Sequence, residues 1–162
     1  MKSICIQLAL LLNFVVLTQC QFVKTTIIIT KTSPYCGGAN PPEYILKAAN
    51  EKKIPFGETF YIIKGEKNTK NRVLIDSFKF DSSGKHVALL KPNVYSVINM
   101  FNFKKLDLTS KDFDVNCLTK LWTTPLFTFK VLKGKSQVIS FNITEPCPYN
   151  IPCMHNKISL PM

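Results

Sequence analysis

From Thr25 to Thr30 the chain is dense in β-branched residues, with Ile27, Ile28 and Ile29 in succession, which predicts a strand. Ser33 to Gly38 breaks that pattern. Pro41 and Pro42 then pre-set a short helix from Glu43 to about Glu51, whose packing face would be Tyr44, Ile45, Ala48 and Ala49. Phe60 to Ile63 is the next predicted strand, followed by a polar connection from Lys64 to Asn71. Arg72 to Phe80, His86 to Leu90 and Val94 to Met100 follow as strands, separated by the turns Asp81-Ser82-Ser83-Gly84 and Lys91-Pro92-Asn93. Two hairpins in succession make a meander. Farther on, Phe127, Phe129 and Val131 alternate with Thr128 and Lys130. After the Lys133-Gly134-Lys135-Ser136 turn, Ile139, Phe141 and Ile143 alternate with Ser140 and Asn142. One apolar and one wet face is the pattern of half-buried antiparallel strands. About seven strands with frequent turns and one or two short helices predict an all-β fold, a single antiparallel β-sandwich.

The first twenty residues follow a different rule. Lys2 precedes an apolar run from Ile4 to Leu17, interrupted only by Gln7 and Asn13. The run is shorter than the roughly 20 residues of a spanning helix and has the form of a secretory signal. The expected organisation is therefore a signal over 1–20, a β-sandwich domain over 21–146 and a Cys- and Pro-containing tail over 147–162 packed on it. Cleavage after Cys20 would expose Gln21. Leu17-Thr18-Gln19-Cys20 also resembles a bacterial lipobox, in which Cys20 would be acylated and hold the protein to a membrane surface, although Gln19 departs from the small residue of that pattern.

Export changes how the cysteines and charges are weighed. Of 6 cysteines, Cys5 and Cys20 fall in the export segment, leaving Cys36, Cys117, Cys147 and Cys153. In an oxidising compartment these allow three connectivities, and sequence alone selects none. The short spacing of Cys147 and Cys153, with Pro148 and Pro152 turning between them, favours a local bridge and hence Cys36 with Cys117. The chain has 162 residues, 46% hydrophobic and 19% charged, a composition that excludes a disordered polar chain and leaves room for one ordinary domain. Its formal charge is +11, and Arg72 is its sole arginine among 21 basic residues. Lys64, Lys67, Lys70 and Arg72 surround one connection, and Lys130, Lys133 and Lys135 another. These are candidate basic patches for anionic glycans, lipopolysaccharide or a membrane surface. Nucleic-acid readers lean on the bidentate fork of arginine, so nucleic acid is excluded as a partner. The simpler reading, preferred on sequence, is a solvated lysine excess that keeps strand edges soluble.

The run from Phe78 to Val97, with Phe80-Asp81-Ser82-Ser83-Gly84, Leu89-Leu90-Lys91-Pro92-Asn93 and Tyr95-Ser96-Val97, resembles the central signature of transthyretin-like domains. These include the carboxypeptidase regulatory-like and collagen-adhesin B-type repeats. Asn93 stands where the family uses Gly, a change the turn survives because Asn tolerates a left-handed backbone. His86 occupies a position that is often Phe. Tyr35-Cys36-Gly37-Gly38-Ala39, Pro41-Pro42-Glu43, Cys117-Leu118, Leu121-Trp122, Pro146-Cys147 and Pro152-Cys153 further resemble a group of uncharacterised bacterial envelope proteins. The resemblance implies a non-catalytic β-sandwich used as a spacer, folding companion or binding surface. A fold analogy does not by itself fix function.

Candidate chemistry is sparse. The histidines are His86 and His155, and Cys153-Met154-His155 is a soft-ligand cluster of the kind copper takes, unless Cys153 is bridged. A Cys nucleophile activated by His is disfavoured because an even set of exported cysteines forms bridges. Asp107, Asp112 and Asp114 lack calcium-loop spacing and are interspersed with Lys111, which predicts a solvated loop. Asn142-Ile143-Thr144 fits a glycosylation sequon but falls inside a predicted strand. The expectation is an exported, monomeric, non-catalytic module that needs no cofactor and contacts an envelope protein or glycan. The alternatives are a small secreted enzyme or metal-binding protein using His86 or His155, and an extracellular protease inhibitor.

Overall fold

The computed structural model describes residues 22–38, 40–104, 113–147 and 153–154. Expectations for the export segment with Cys20, for Asp107 and Asp112, for His155 and for most of the tail fall outside the described residues. Among the described residues seven strands form: β1 (Val23–Thr32), β2 (Thr59–Lys64), β3 (Val73–Lys79), β4 (Lys85–Leu90), β5 (Asn93–Asn99), β6 (Phe127–Val131) and β7 (Gln137–Thr144). Three short helices accompany them among the described residues: α1 (Glu43–Ala49), α2 (Met100–Phe103) and α3 (Val115–Thr123).

The strands divide into a three-stranded sheet ordered β4-β1-β7 and a four-stranded sheet ordered β3-β2-β5-β6. One apolar cluster joins them: Val23, Ile27, Ile29, Ala88 and Leu90 from the smaller sheet, with Phe60, Ile62, Phe78, Tyr95, Val97, Phe127, Phe129 and Val131 from the larger. Burial alternates along β1 and β6, as half-buried strands require. In contrast, β2 and β5 each bury four consecutive residues. Their second faces lie under α2, where Tyr61, Ile63 and Ile98 make a smaller cluster against Phe103.

This difference explains why the expected meander does not form. β3 and β5 belong to the larger sheet and β4 to the smaller, so Asp81–Gly84 and Lys91–Pro92 are corners between sheets rather than hairpin turns. β4 buries Ala88 and Leu90 and exposes Val87 and Leu89, which suits a sheet whose outer face is open. β5 is apolar on both faces and takes a central place. The Asp81 turn itself forms as expected: its carboxylate accepts from Ser83 N–H at 2.8 Å, and Gly84 adopts a φ of 62°. Asn93 does not adopt the left-handed backbone expected of it. It opens β5, and its side-chain oxygen accepts from Val94 N–H at 2.9 Å.

Two further expectations are corrected. The sheets are not wholly antiparallel, because β7 pairs with β1 in parallel from Thr25↔Gln137 to Thr32↔Thr144. The connection after β6 crosses to the other sheet, so β7 does not fold back on β6. The α1 helix is not packed through the face expected of it. Ile45 and Ala49 are half-buried, whereas Tyr44 is 72% exposed.

The parallel pair determines the bridging. β1 and β7 leave the sheet side by side, Glu145 N–H still bonding Thr32 C=O at 2.9 Å, and this brings Cys36 beside Cys147. The disulfides are Cys36–Cys147 and Cys117–Cys153, with Cα separations of 5.6 and 5.4 Å. The local Cys147–Cys153 bridge and the Cys36–Cys117 bridge favoured by spacing are both overturned. Proximity in sequence mattered less than the parallel exit of two strands.

Candidate binding sites at the two ends of the larger sheet

At one end of the four-stranded sheet, topology gathers lysines that are far apart in sequence. Lys64 ends β2 opposite Tyr95, Asn93 begins β5 opposite Val131, and β6 therefore ends where β2 ends. The 65–72, 91–92 and 132–136 connections leave from this one end. Lys64, Lys67, Lys70, Lys130, Lys133 and Lys135, which lie in these connections or in the strand ends they leave, are all exposed, and Lys91 joins them. Lys64 and Lys91 line a single depression with Phe22, Ile75 and Tyr95. The only acid in these three connections is Glu66. None of the seven lysines makes an ion pair among the described residues. Tyr95, its hydroxyl donating to Lys91 C=O at 2.8 Å, is held neutral by burial, which raises its pKa. Lys91 was missed on sequence because its place follows from the sheet order, not from local charge density.

Arg72 does not belong to this patch. Its guanidinium donates to Phe103 C=O and to Asn68 Oδ1, and lies 4.7 Å from the centre of the Phe103 ring. Phe103 in turn stacks on Tyr61 at 3.9 Å. The sole arginine thus fixes the helical layer to the outer face of the sheet.

That layer is built around two buried asparagines. Asp114 caps α3, accepting from the N–H groups of Asn116 and Cys117 at 2.8 and 3.1 Å. Leu118, Leu121 and Trp122 follow at helical spacing on the inward side. At the other end of α3 the orphaned carbonyls need donors. Asn102 donates to the carbonyls of Leu121, Trp122 and Thr124, while Asn68 donates to those of Trp122 and Asn102. Asp114 was expected in a solvated loop. The cap followed by Leu118 and Leu121-Trp122 was the signal for α3 that the charge reading passed over.

Beneath this layer, at the end opposite the lysines, lies a cavity of about 610 Å³. Asn99, Phe101 and Asn102 form one wall, Leu118 and Leu121 of α3 another, and Phe113, Pro125, Leu126 and Pro146 complete it. No acid, base, histidine or cysteine occurs among the described lining residues. The second disulfide is anchored next to Phe113, since Cys153 C=O accepts from Asp114 N–H at 2.8 Å and Met154 bridges to Phe113.

The remaining candidates are placed as follows. His86 lies flat on Phe78, ring centres 4.0 Å apart, with Nε2 2.8 Å from Asp76 Oδ2. It fills an inward position at the edge between the sheets, much as a phenylalanine would, while its polar edge meets a carboxylate. Cys153 is bridged and so is lost as a copper ligand, and no group of three or more metal-binding side chains occurs among the described residues. Asn142 of the sequon lies in β7 with its amide bonded to Thr30 and Thr32. Cys36, Cys117, Cys147 and Cys153 are all closed in bridges, as befits an oxidising, extracellular-type environment.

Beside the Cys36–Cys147 bridge, Lys31 Nζ bonds Glu58 and Glu145 at 2.6 and 2.9 Å, and Ser33 donates to Glu145 at 2.6 Å. The Ser33 hydroxyl, then Lys31, hold the Glu145 carboxyl below its usual range. Burial works to lower the Lys31 pKa, but the two carboxylates outweigh it and hold the ammonium above its ordinary value. Glu145 therefore adds stability above the ordinary glutamate pKa, lost as pH falls through the depressed value. Lys31 adds stability below its ordinary pKa, lost as pH rises through the raised one. Glu145→Gln is expected to cost about 0.2–1 kcal/mol at neutral pH, as for a pair that solvent still partly screens. The difference from the parent should vanish in acid, which denaturant midpoints measured across the pH range will check.

Comparison with protein-family models, with curated proteins and with solved structures finds no match to this chain.

Proposed function

We propose that the protein is an exported, non-catalytic β-sandwich module of transthyretin-like type, and that its lysine-bearing end contacts an anionic glycan of the bacterial cell envelope. The observation that carries this reading is that three connections leave one end of the larger sheet, with five exposed lysines in them against one acid and Lys64 and Lys130 exposed in the adjoining strand ends. A scattered lysine excess would not favour one end. Exposed ammonium groups without carboxylate partners attract polyanions from a distance, and that attraction weakens with salt.

The test uses the purified protein with its disulfides intact and heparin as the sulfated probe, with dextran as the neutral one. Heparin should bind and dextran should not, and binding should fall steeply with added salt. Combining Lys130→Glu, Lys133→Glu and Lys135→Glu should weaken heparin binding roughly tenfold or more, whereas His86→Asn should leave it unchanged. Binding indifferent to salt and to charge reversal would overturn the glycan reading. Hydrolytic turnover that disappears in His86→Asn would establish the enzyme alternative instead.

A further inference from the structure

We infer that the cavity under α3 is a binding site for an aliphatic chain, the alkyl or acyl portion of a single-chain amphiphile. This site lies at the end of the sheet away from the lysines and is independent of the glycan reading. Its volume of about 610 Å³ falls within the range of small-molecule sites. Phe101, Phe113, Leu118, Leu121 and Leu126 are each half-buried, so they present apolar surface that water now wets. Covering such surface is favourable in proportion to the area removed from water.

The polar atoms in the walls narrow the ligand class. The Asn102 amide is committed to three carbonyls, the Asn99 side-chain oxygen accepts from Asn102 N–H at 3.1 Å, and Thr124 Oγ1 donates to Lys120 C=O at 2.7 Å. These bonds hold the walls together, and a ligand that competed for them would loosen the helical layer. A charged or strongly polar group entering this space would lose its hydration without gaining an ion pair from the described lining. An aliphatic chain makes no such demand. Among the described residues the cavity is open on one side, so the polar head of an amphiphile can stay in water while its chain is inside.

Trp122, the chain's sole tryptophan, lies on α3 next to Leu121 and supplies a reporter. The purified, oxidised protein would be titrated with straight-chain carboxylates from octanoate to laurate, and with the matching alcohols, each below its micelle concentration, following Trp122 emission and heat of binding. Affinity should rise about fourfold for each added CH2 until the cavity is filled. Equal binding of acid and alcohol would assign recognition to the chain alone, and stronger binding of the acid would assign the source to free fatty acids. Leu118→Gln should weaken binding roughly tenfold. Leu118→Trp, which fills the space with an apolar ring, should abolish binding while preserving the cooperative thermal transition. The lysine charge reversals should leave chain binding intact, so failure here is separable from failure of the glycan reading. The inference is overturned if no chain binds saturably, if affinity does not depend on chain length, or if both Leu118 variants bind as the parent does.

Discussion

Replacing Cys36 and Cys147 together by serine should destabilise the protein by about 4 to 5 kcal/mol, on the loop-entropy account of disulfide stabilisation. The bridge spans 111 residues, nearly the whole described fold, and so restricts the unfolded chain more than the 36-residue span of Cys117–Cys153. The same arithmetic places the Cys117→Ser, Cys153→Ser double variant about 1 kcal/mol nearer the parent. Denaturant unfolding of the two variants would measure both the size and the order. Peptide mapping without reductant offers a sharper check, because Cys36 should be recovered linked to Cys147. A fragment holding Cys147 joined to Cys153 would refute the arrangement outright. The physical basis is the parallel pairing of β1 with β7, which delivers both cysteines to one place and keeps them there through the Thr32–Glu145 bond.

Asn102→Ala is the second large effect, an expected loss of about 1 to 3 kcal/mol. Asn102 is 4% exposed, and its side chain serves the carbonyl end of α3. Alanine would leave the carbonyls of Leu121 and Thr124 without that donor. Asn68 still reaches Trp122 C=O, and this limits the damage. Asn102→Asp should be worse, since a carboxylate would face the same carbonyls with no hydrogen to offer. Unfolding midpoints for the two variants, with Trp122 emission as a local probe, would show the helical layer loosening before the sheets. If Asn102→Ala stays within about 0.5 kcal/mol of the parent, the asparagine is not what secures α3.

Much of the strand content was legible because alternation is local. Val131, Phe129 and Phe127 announce β6 without reference to any other part of the chain. Partnership was not legible, since Asp81-Ser82-Ser83-Gly84 has the same chemistry whether it joins neighbours in a sheet or turns the chain into another sheet. The distinguishing sign was in the strands themselves. The unbroken apolar run of Phe60 to Ile63 called for cover on two faces, and the cover is α2, with α3 and the buried asparagines securing it. The lysine end was half visible as two charged connections, but bringing them together needed the β3-β2-β5-β6 order. The cavity was invisible for a related reason: its walls come from the end of β5, from α2, from α3 and from Pro146, and no single stretch of sequence bears its signature. Cys153 shows the same dependence, because its partner is decided by where α3 begins.

The bridge between Cys36 and Cys147 also sets the route of mechanical load. A pull entering at Phe22 and resisted at Cys147 runs along β1, through a short extended segment and across the sulfur atoms. Residues 37–146 form a closed loop outside that route. The larger sheet, the helical layer, the cavity and most of the lysine-bearing end would carry no tension along their backbone while the bridge holds.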